Sequence, residues 1–189
     1  MRILSTTGRL LLAGSLALPL GSARADAPEA PAPGFFNRVQ QRVESTWRDG
    51  QTELYVPLHT RHMRWAYTRE QIDGYNETPL GLGLGRGRYD ANGDWHGLYV
   101  MGFQDSHFKP EYMFGYGYKT YWPVSGALKA GLGYTAFLTT RSDIAHYTPI
   151  PGILPIASLE YERFSLDATY VPGGKGNGNI LFIWSKVRF

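Results

Sequence analysis

Large apolar residues and small or polar ones alternate through three separate stretches of the chain. In residues 114–122 (FGYGYKTYW), Phe114, Tyr116, Tyr118 and Trp122 share one parity, while Gly115, Gly117, Lys119 and Tyr121 share the other. Successive side chains of a strand point to opposite faces, so one face is wide and aromatic and the other partly empty. Residues 81–88 (GLGLGRGR) repeat the pattern, with Leu82 and Leu84 opposed to Gly81, Gly83, Gly85 and Gly87. Residues 127–140 repeat it again, with Leu128, Ala130, Leu132, Tyr134, Ala136 and Leu138 against Lys129, Gly131, Gly133 and Thr135. A water-soluble barrel would turn its large apolar side chains inward. Here they share a face that the small residues avoid, which fits a barrel turned outward to lipid, its lumen bare at certain heights.

From residue 52 onward eight strand-like segments follow, over about 52–67, 80–89, 95–105, 113–122, 127–140, 153–162, 164–171 and 180–189. The connections at 68–79, 107–112, 141–152 and 172–179 are the longer ones, and those at 90–94, 123–126 and 162–163 are short. Asn92-Gly93 marks a tight hairpin. Alternating long and short turns, with an even strand number, predict an all-β, eight-stranded antiparallel transmembrane β-barrel over 52–189, with both termini on the periplasmic side. The last strand ends on Phe189, and an apolar aromatic terminus resembles the signal read by the outer-membrane assembly machinery.

Ahead of the barrel, Phe36, Val39, Val43 and Trp47 recur at helical spacing, with Arg38, Gln41, Arg42, Glu44 and Arg48 on the other face. Residues 26–51 therefore read as a Pro/Ala-rich lead and an amphipathic helix lying along the periplasmic interface. Residues 1–25 read as a signal peptide: Arg2 and Arg9 precede or flank the apolar run 10–20, and Ala23-Arg24-Ala25 offers a small-x-small cleavage site.

Charge narrows the partners. The chain carries 19 Lys and Arg against 16 Asp and Glu. Removing Arg2, Arg9 and Arg24 with the signal leaves equal numbers, so the basicity belongs to the signal and a nucleic-acid partner is not expected. There is no cysteine, hence no disulfide framework, and after the signal no run approaches the length of a membrane helix. The 13 Tyr and 5 Trp suit the aromatic girdles of a membrane barrel. Pro57, Pro79, Pro155 and Pro172 fall inside or at the ends of strands, where each removes a ladder hydrogen bond. Strand termination is the plain reading of each; four together also fit weakened seams through which a lipid chain passes sideways.

His59-x-x-His62 invites a metal reading, but residues three apart on a strand face opposite ways and no acidic cluster supports it, so no metal site is expected. His62 lies toward the outer end of the first strand, and Asp105-Ser106 at the outer end of the third. A histidine, an acid and a hydroxyl at one rim are the ingredients of acyl transfer. Asp105 and Ser106 are adjacent, so only a bend lets both serve one site.

Leu54-Tyr55-Val56-Pro57 followed by His62, then Tyr75-Asn76-Glu77-Thr78-Pro79, Trp95-His96-Gly97-Leu98-Tyr99, Phe103-Gln104-Asp105-Ser106, Gly115-Tyr116-Gly117, Leu154-Pro155-Ile156-Ala157-Ser158 and Tyr170-Val171-Pro172-Gly173 together resemble the lipid A palmitoyltransferase family (PagP). The resemblance spans about residues 43 to 189, with the blocks in order. It implies an outer-membrane enzyme that moves a palmitoyl chain from the sn-1 position of a phospholipid to lipid A without a cofactor. It also implies His62, Asp105 and Ser106 as catalytic residues, Gly117 as an acyl-chain ruler, and Pro57, Pro79, Pro155 and Pro172 at lateral access routes. Ser106 then acts either as a nucleophile activated by His62, or by polarising the ester while His62 activates the lipid A hydroxyl. Two other readings stay open: an outer-membrane phospholipase, and a non-enzymatic barrel of structural or adhesive role.

Overall fold

The computed structural model describes residues 34–143 and 145–189; the expected signal peptide lies outside them. Helix α1 (Phe35–Asp49) leads into eight antiparallel strands: β1 (Gln51–His62), β2 (Gly81–Tyr89), β3 (Trp95–Gln104), β4 (Pro110–Ser125), β5 (Leu128–Thr140), β6 (Ile150–Tyr161), β7 (Phe164–Val171) and β8 (Ile180–Arg188). Each strand pairs with the next, and β8 pairs with β1 to close the barrel. Closure satisfies backbone groups that hydrocarbon cannot. β1 stops at His62, short of the expected 67, because residues 64–66 turn and a short helix, α2 (Arg69–Asp73), follows. β4 is longer than expected at both ends.

The outward parity carries the large apolar residues, as the alternation predicts. Leu82, Leu84, Val100, Phe114, Leu132, Leu138, Ile153 and Leu166 are all exposed. The barrel presents them to lipid rather than water. α1 packs on the outside of β2 and β3. Arg86 donates to the carbonyls of Trp47 and Arg48 at 3.3 Å each, and Arg88 to Ser45 Oγ at 2.9 Å. Cations at a helix C-terminus meet its unpaired carbonyls and the negative end of its dipole. Val43 turns to the barrel beside Leu98 and Tyr116, while Phe36, Val39 and Trp47 stay exposed.

The inward face is not as bare as its glycines suggest. Gly97 and Gly117 face each other across β3 and β4, and a Cβ on Gly117 would lie 2.7 Å from Trp95 Cζ3. A Cβ on Gly115 would lie 2.5 Å from Tyr99. The glycines thus make room for indole and phenol rings from β3 rather than leaving a void, which corrects the expectation of an empty lumen at that height.

The interior is sorted by height. On the site side, Phe103, Phe182 and Trp184 form a stacked aromatic column with Met101, Met113 and Ile156 beside it. Toward the short-turn end lies a buried ionic layer. Lys119 Nζ donates to Asp167 Oδ1 at 2.6 Å, and Ser158 and Ser165 also donate to Asp167. Lys186 Nζ donates to Glu53 Oε1 at 2.6 Å, and Tyr55 donates to Glu53 Oε2 at 2.7 Å.

Two seams lack a ladder on the long-loop side. β1 pairs with β2 only from Gln51↔Gly87 to Tyr55↔Gly83, and β6 with β7 only from Tyr161↔Phe164 to Ala157↔Ala168. Pro57 and Pro79 border the first gap; Pro155 and Pro172 border the second. Thr169 Oγ1 donates to the Pro155 carbonyl at 2.6 Å, occupying an acceptor the missing ladder leaves free.

Breaking one buried pair strands its partner. Lys119→Met leaves Asp167 charged and unpaired and is expected to destabilise the barrel by about 3–5 kcal/mol, read from denaturant unfolding in detergent. Lys119→Met/Asp167→Leu should recover most of that loss. Equal stability of the single variant and the wild type would contradict a neutralising role for the pair.

Candidate active site

His62 reaches the lumen side because β1 carries a bulge. Glu53, Tyr55 and Pro57 point inward, but the register with β8 shifts between Pro57 and His59, after which Thr60 and His62 point inward instead. One extra residue flips the parity of everything beyond it. On β3 the strand ends at Gln104, and residues 105–109 turn tightly into β4. Asp105 N–H donates to the Lys109 carbonyl at 2.8 Å, and Phe108 adopts φ 60° to complete the turn. The turn brings Ser106 to His62.

Ser106 Oγ lies 3.0 Å from His62 Nε2. On the other side of the ring, His62 Nδ1 lies 3.2 Å from Glu77 Oε1, and the His62 backbone N–H donates to the same oxygen at 2.9 Å. Arg64 grips Glu77 through both terminal guanidinium nitrogens, at 2.7 Å each, and also donates to the His62 carbonyl at 3.0 Å. The Arg64 fork, helped by the two His62 contacts, holds the Glu77 carboxyl down at about 2. An ionised carboxylate can only accept. The Nδ1 of His62 therefore carries the ring proton toward Glu77, and Nε2 of the neutral imidazole accepts from Ser106. Glu77 adds its orienting effect in full above the ordinary carboxylate range and loses it only as pH falls toward 2.

Asp105 has a different place from the one its type suggests. Its Oδ1 accepts from the backbone N–H groups of His107 and Lys109, both at 2.8 Å, so this oxygen shapes the turn. Its Oδ2 is buried without a hydrogen-bond partner among the described residues. Asn76 ties the two loops together: its N–H donates to the Ser106 carbonyl at 2.9 Å and its side chain to the Asp105 carbonyl at 3.4 Å. Tyr75 lies against the His62 ring at 4.7 Å and Tyr67 edge-on at 5.1 Å, so the histidine is buried.

The structure thus brings His62 and Ser106 together and keeps the Asp105 carboxylate off the imidazole. Glu77 and Arg64 take the orienting position and were not singled out by sequence reasoning, although Glu77 sits inside the Tyr75–Pro79 block. Gly117 lies in the lumen, well along β4 from the site, and the four prolines border the two seams.

A hydroxyl, a base and an orienting carboxylate at the mouth of an apolar lumen are groups that acyl transfer can use. The family model described as "Antimicrobial peptide resistance and lipid A acylation protein PagP" matches residues 42–186. This chain belongs to the PagP family. The "Lipid A acyltransferase PagP" of Methylobacillus flagellatus is 50% identical over 155 residues, covering 82% of this chain and 84% of the relative. That of Laribacter hongkongensis is 45% identical over 196 residues, covering 95% of each. That of Bordetella pertussis is 44% identical over 157 residues, covering 83% of this chain and 86% of its own length. The family match runs from within α1 to within β8.

Glu77→Ala is expected to lower acyl transfer by about 10²-fold or more, because the ring loses its orienting acceptor. Asp105→Asn keeps an oxygen for the two turn amides, so the fold of the rim should persist and any loss of rate reports the charge on Oδ2. Initial rates on refolded variants, with folding read by heat-modifiable electrophoresis, check both. Full activity of Glu77→Ala would remove it from the site.

Proposed function

We propose that this chain moves a palmitoyl group from the sn-1 position of a phospholipid to a hydroxyl of lipid A, with the site at the external face of the outer membrane. The observation that carries the reading is the Ser106–His62–Glu77 relay opening onto an apolar column. A single-site acyl exchange between an ester and a hydroxyl is redox-neutral and needs no carrier. Three of the four connections at the site end, 63–80, 141–149 and 172–179, are longer than any at the α1 end, while the β3–β4 turn, expected to be long, takes only residues 105–109; the three long loops support an external site.

In the proposed sequence, His62 Nε2 takes the Ser106 hydroxyl proton as Oγ attacks the donor ester carbonyl. The bond to the glycerol oxygen breaks, and His62 returns its proton to that oxygen, leaving acyl-Ser106 and lysophospholipid. The lipid A hydroxyl then gives its proton to His62 and attacks the acyl carbonyl; Ser106 recovers the proton as it leaves. Asp105 Oδ2, buried and without a hydrogen-bond partner among the described residues, is an acceptor suited to that incoming hydroxyl. Pro57 and Pro79 at one seam, and Pro155 and Pro172 at the other, border the gaps through which lipid would pass laterally. The outer-membrane assembly machinery is the partner expected to insert the barrel.

Purified protein given labelled phospholipid and lipid A should yield acylated lipid A and lysophospholipid. His62→Ala and Ser106→Ala should each abolish the product while the barrel stays folded. Free fatty acid alone would mark a phospholipase, and no product a barrel without this chemistry; either result overturns the reading.

Gly117→Met must push the Trp95 ring or occupy the space above it, so the preferred donor chain should shorten by several carbons. Each methylene excluded removes about 0.8 kcal/mol of burial. Competition among donors of graded chain length measures the shift; an unchanged optimum in a folded variant would exclude Gly117 from the ruler.

A further inference from the structure

Hydrocarbon disfavours charge, yet the outer wall of β1 carries two basic side chains. The bulge that turns Thr60 and His62 inward also turns His59 and Arg61 outward, onto the face where neighbouring positions present leucines. Arg61 is exposed and His59 half-buried, and neither side chain has a hydrogen-bond or ion-pair partner among the described residues. A cation on the lipid face of a barrel costs least at the interface, which places this pair in the headgroup region.

The pair stands beside the open stretch of the β1–β2 seam. Toward the short turns the ladder ends at Tyr55↔Gly83. Toward the long loops the Thr60 backbone N–H donates to the Glu77 carbonyl at 2.9 Å, so the gap is a window closed at both ends. Leu58 on one side and Leu80 and Leu82 on the other flank it and are exposed. Arg61 follows Thr60 at the upper edge of this window, and His59 lies just below that edge.

We propose that Arg61 and His59 form a phosphate-binding site that docks the donor phospholipid at the β1–β2 window before its sn-1 ester enters. The inference rests on the acyl-transfer reading of the rim and adds how the donor is recognised outside the wall. A guanidinium meets a phosphate through parallel N–H groups, and a neutral imidazole offers one N–H in either tautomer. The acyl chains then lie against Leu58, Leu80 and Leu82. In a phospholipid the phosphate and the sn-1 ester are one glycerol apart. Arg61 and His62 are adjacent residues on opposite faces of β1, so a phosphate held by Arg61 leaves the ester at the opening that leads to His62.

The measured quantity is the ratio of kcat/KM for phosphatidylethanolamine to that for 4-nitrophenyl palmitate, an ester without phosphate. Arg61→Gln should lower this ratio about tenfold, through KM for the phospholipid, because charge-assisted hydrogen bonds to the phosphate are lost. Arg61→Lys should recover part of the loss. Arg69→Gln removes an exposed cation from α2 at the same end of the barrel and tests for a general attraction of lipid headgroups; it should change the ratio by less than about twofold. An unchanged ratio in folded Arg61→Gln, or an equal fall in Arg69→Gln, would overturn the proposal. So would a KM that rises for lipid A and not for the phospholipid.

A binding measurement separates the docking site from the reaction. Ser106→Ala in a maltoside detergent, offered phosphatidylethanolamine and diacylglycerol with the same chains, should retain the phospholipid preferentially in native mass spectra. Adding His59→Gln and Arg61→Gln to Ser106→Ala should abolish that preference. Equal retention of both lipids by Ser106→Ala would overturn the site. If Ser106→Ala shows the preference but the wild type transfers no acyl chain, the acyl-transfer reading fails and the docking site stands.

Discussion

Every backbone amide of a strand in hydrocarbon must be paired by another strand, and this requirement governs where the barrel opens. Near the short turns the ladder is continuous around all eight strands, including β1 on β8. Toward the long loops it is interrupted at β1–β2 and β6–β7, and prolines border both interruptions. A proline has no N–H to leave stranded, so it lowers the cost of a gap in the ladder. The site sits at the end of the barrel where the wall is discontinuous, and the lumen beneath it is apolar. The fold therefore places its weakest walls at the same end as His62 and Ser106.

The interior obeys a second constraint. A buried charge is tolerated only with a partner, and here the pairs Lys119–Asp167 and Lys186–Glu53 are gathered in one layer, where Ser158 and Ser165 donate to Asp167 and Tyr55 to Glu53. On the site side of these pairs Phe103, Phe182 and Trp184 stack on one another, with the buried Glu111 opposite Phe103 held by Thr139 and Arg141. Mixing the two layers would expose ammonium groups to any hydrocarbon admitted from the rim.

At the rim, the residue types were legible and the partnership was not. His62 and Ser106 meet as their positions at two outer strand ends implied. Asp105, next to Ser106, was the acid nearest in sequence, yet its Oδ1 is committed to two backbone amides of the turn. Glu77 reaches the imidazole from a loop 15 residues beyond His62, steadied by Arg64. Strand periodicity says nothing about the path of such a loop, and an acid in a polar connection looks like any solvated residue.

The alternation along each strand decided the barrel, its outward apolar face and its even strand number, because side-chain parity is a local property of extended backbone. It also placed Gly117 on the inward face. What fills the space in front of Gly117 is Trp95 from the neighbouring strand, and that depends on the β3–β4 register. His62 points inward only because the β1–β8 pairing skips a residue between Pro57 and His59. Parity is written in the order of residues; register, bulge and loop path are set by which distant segments pair, so only the closed barrel could decide them.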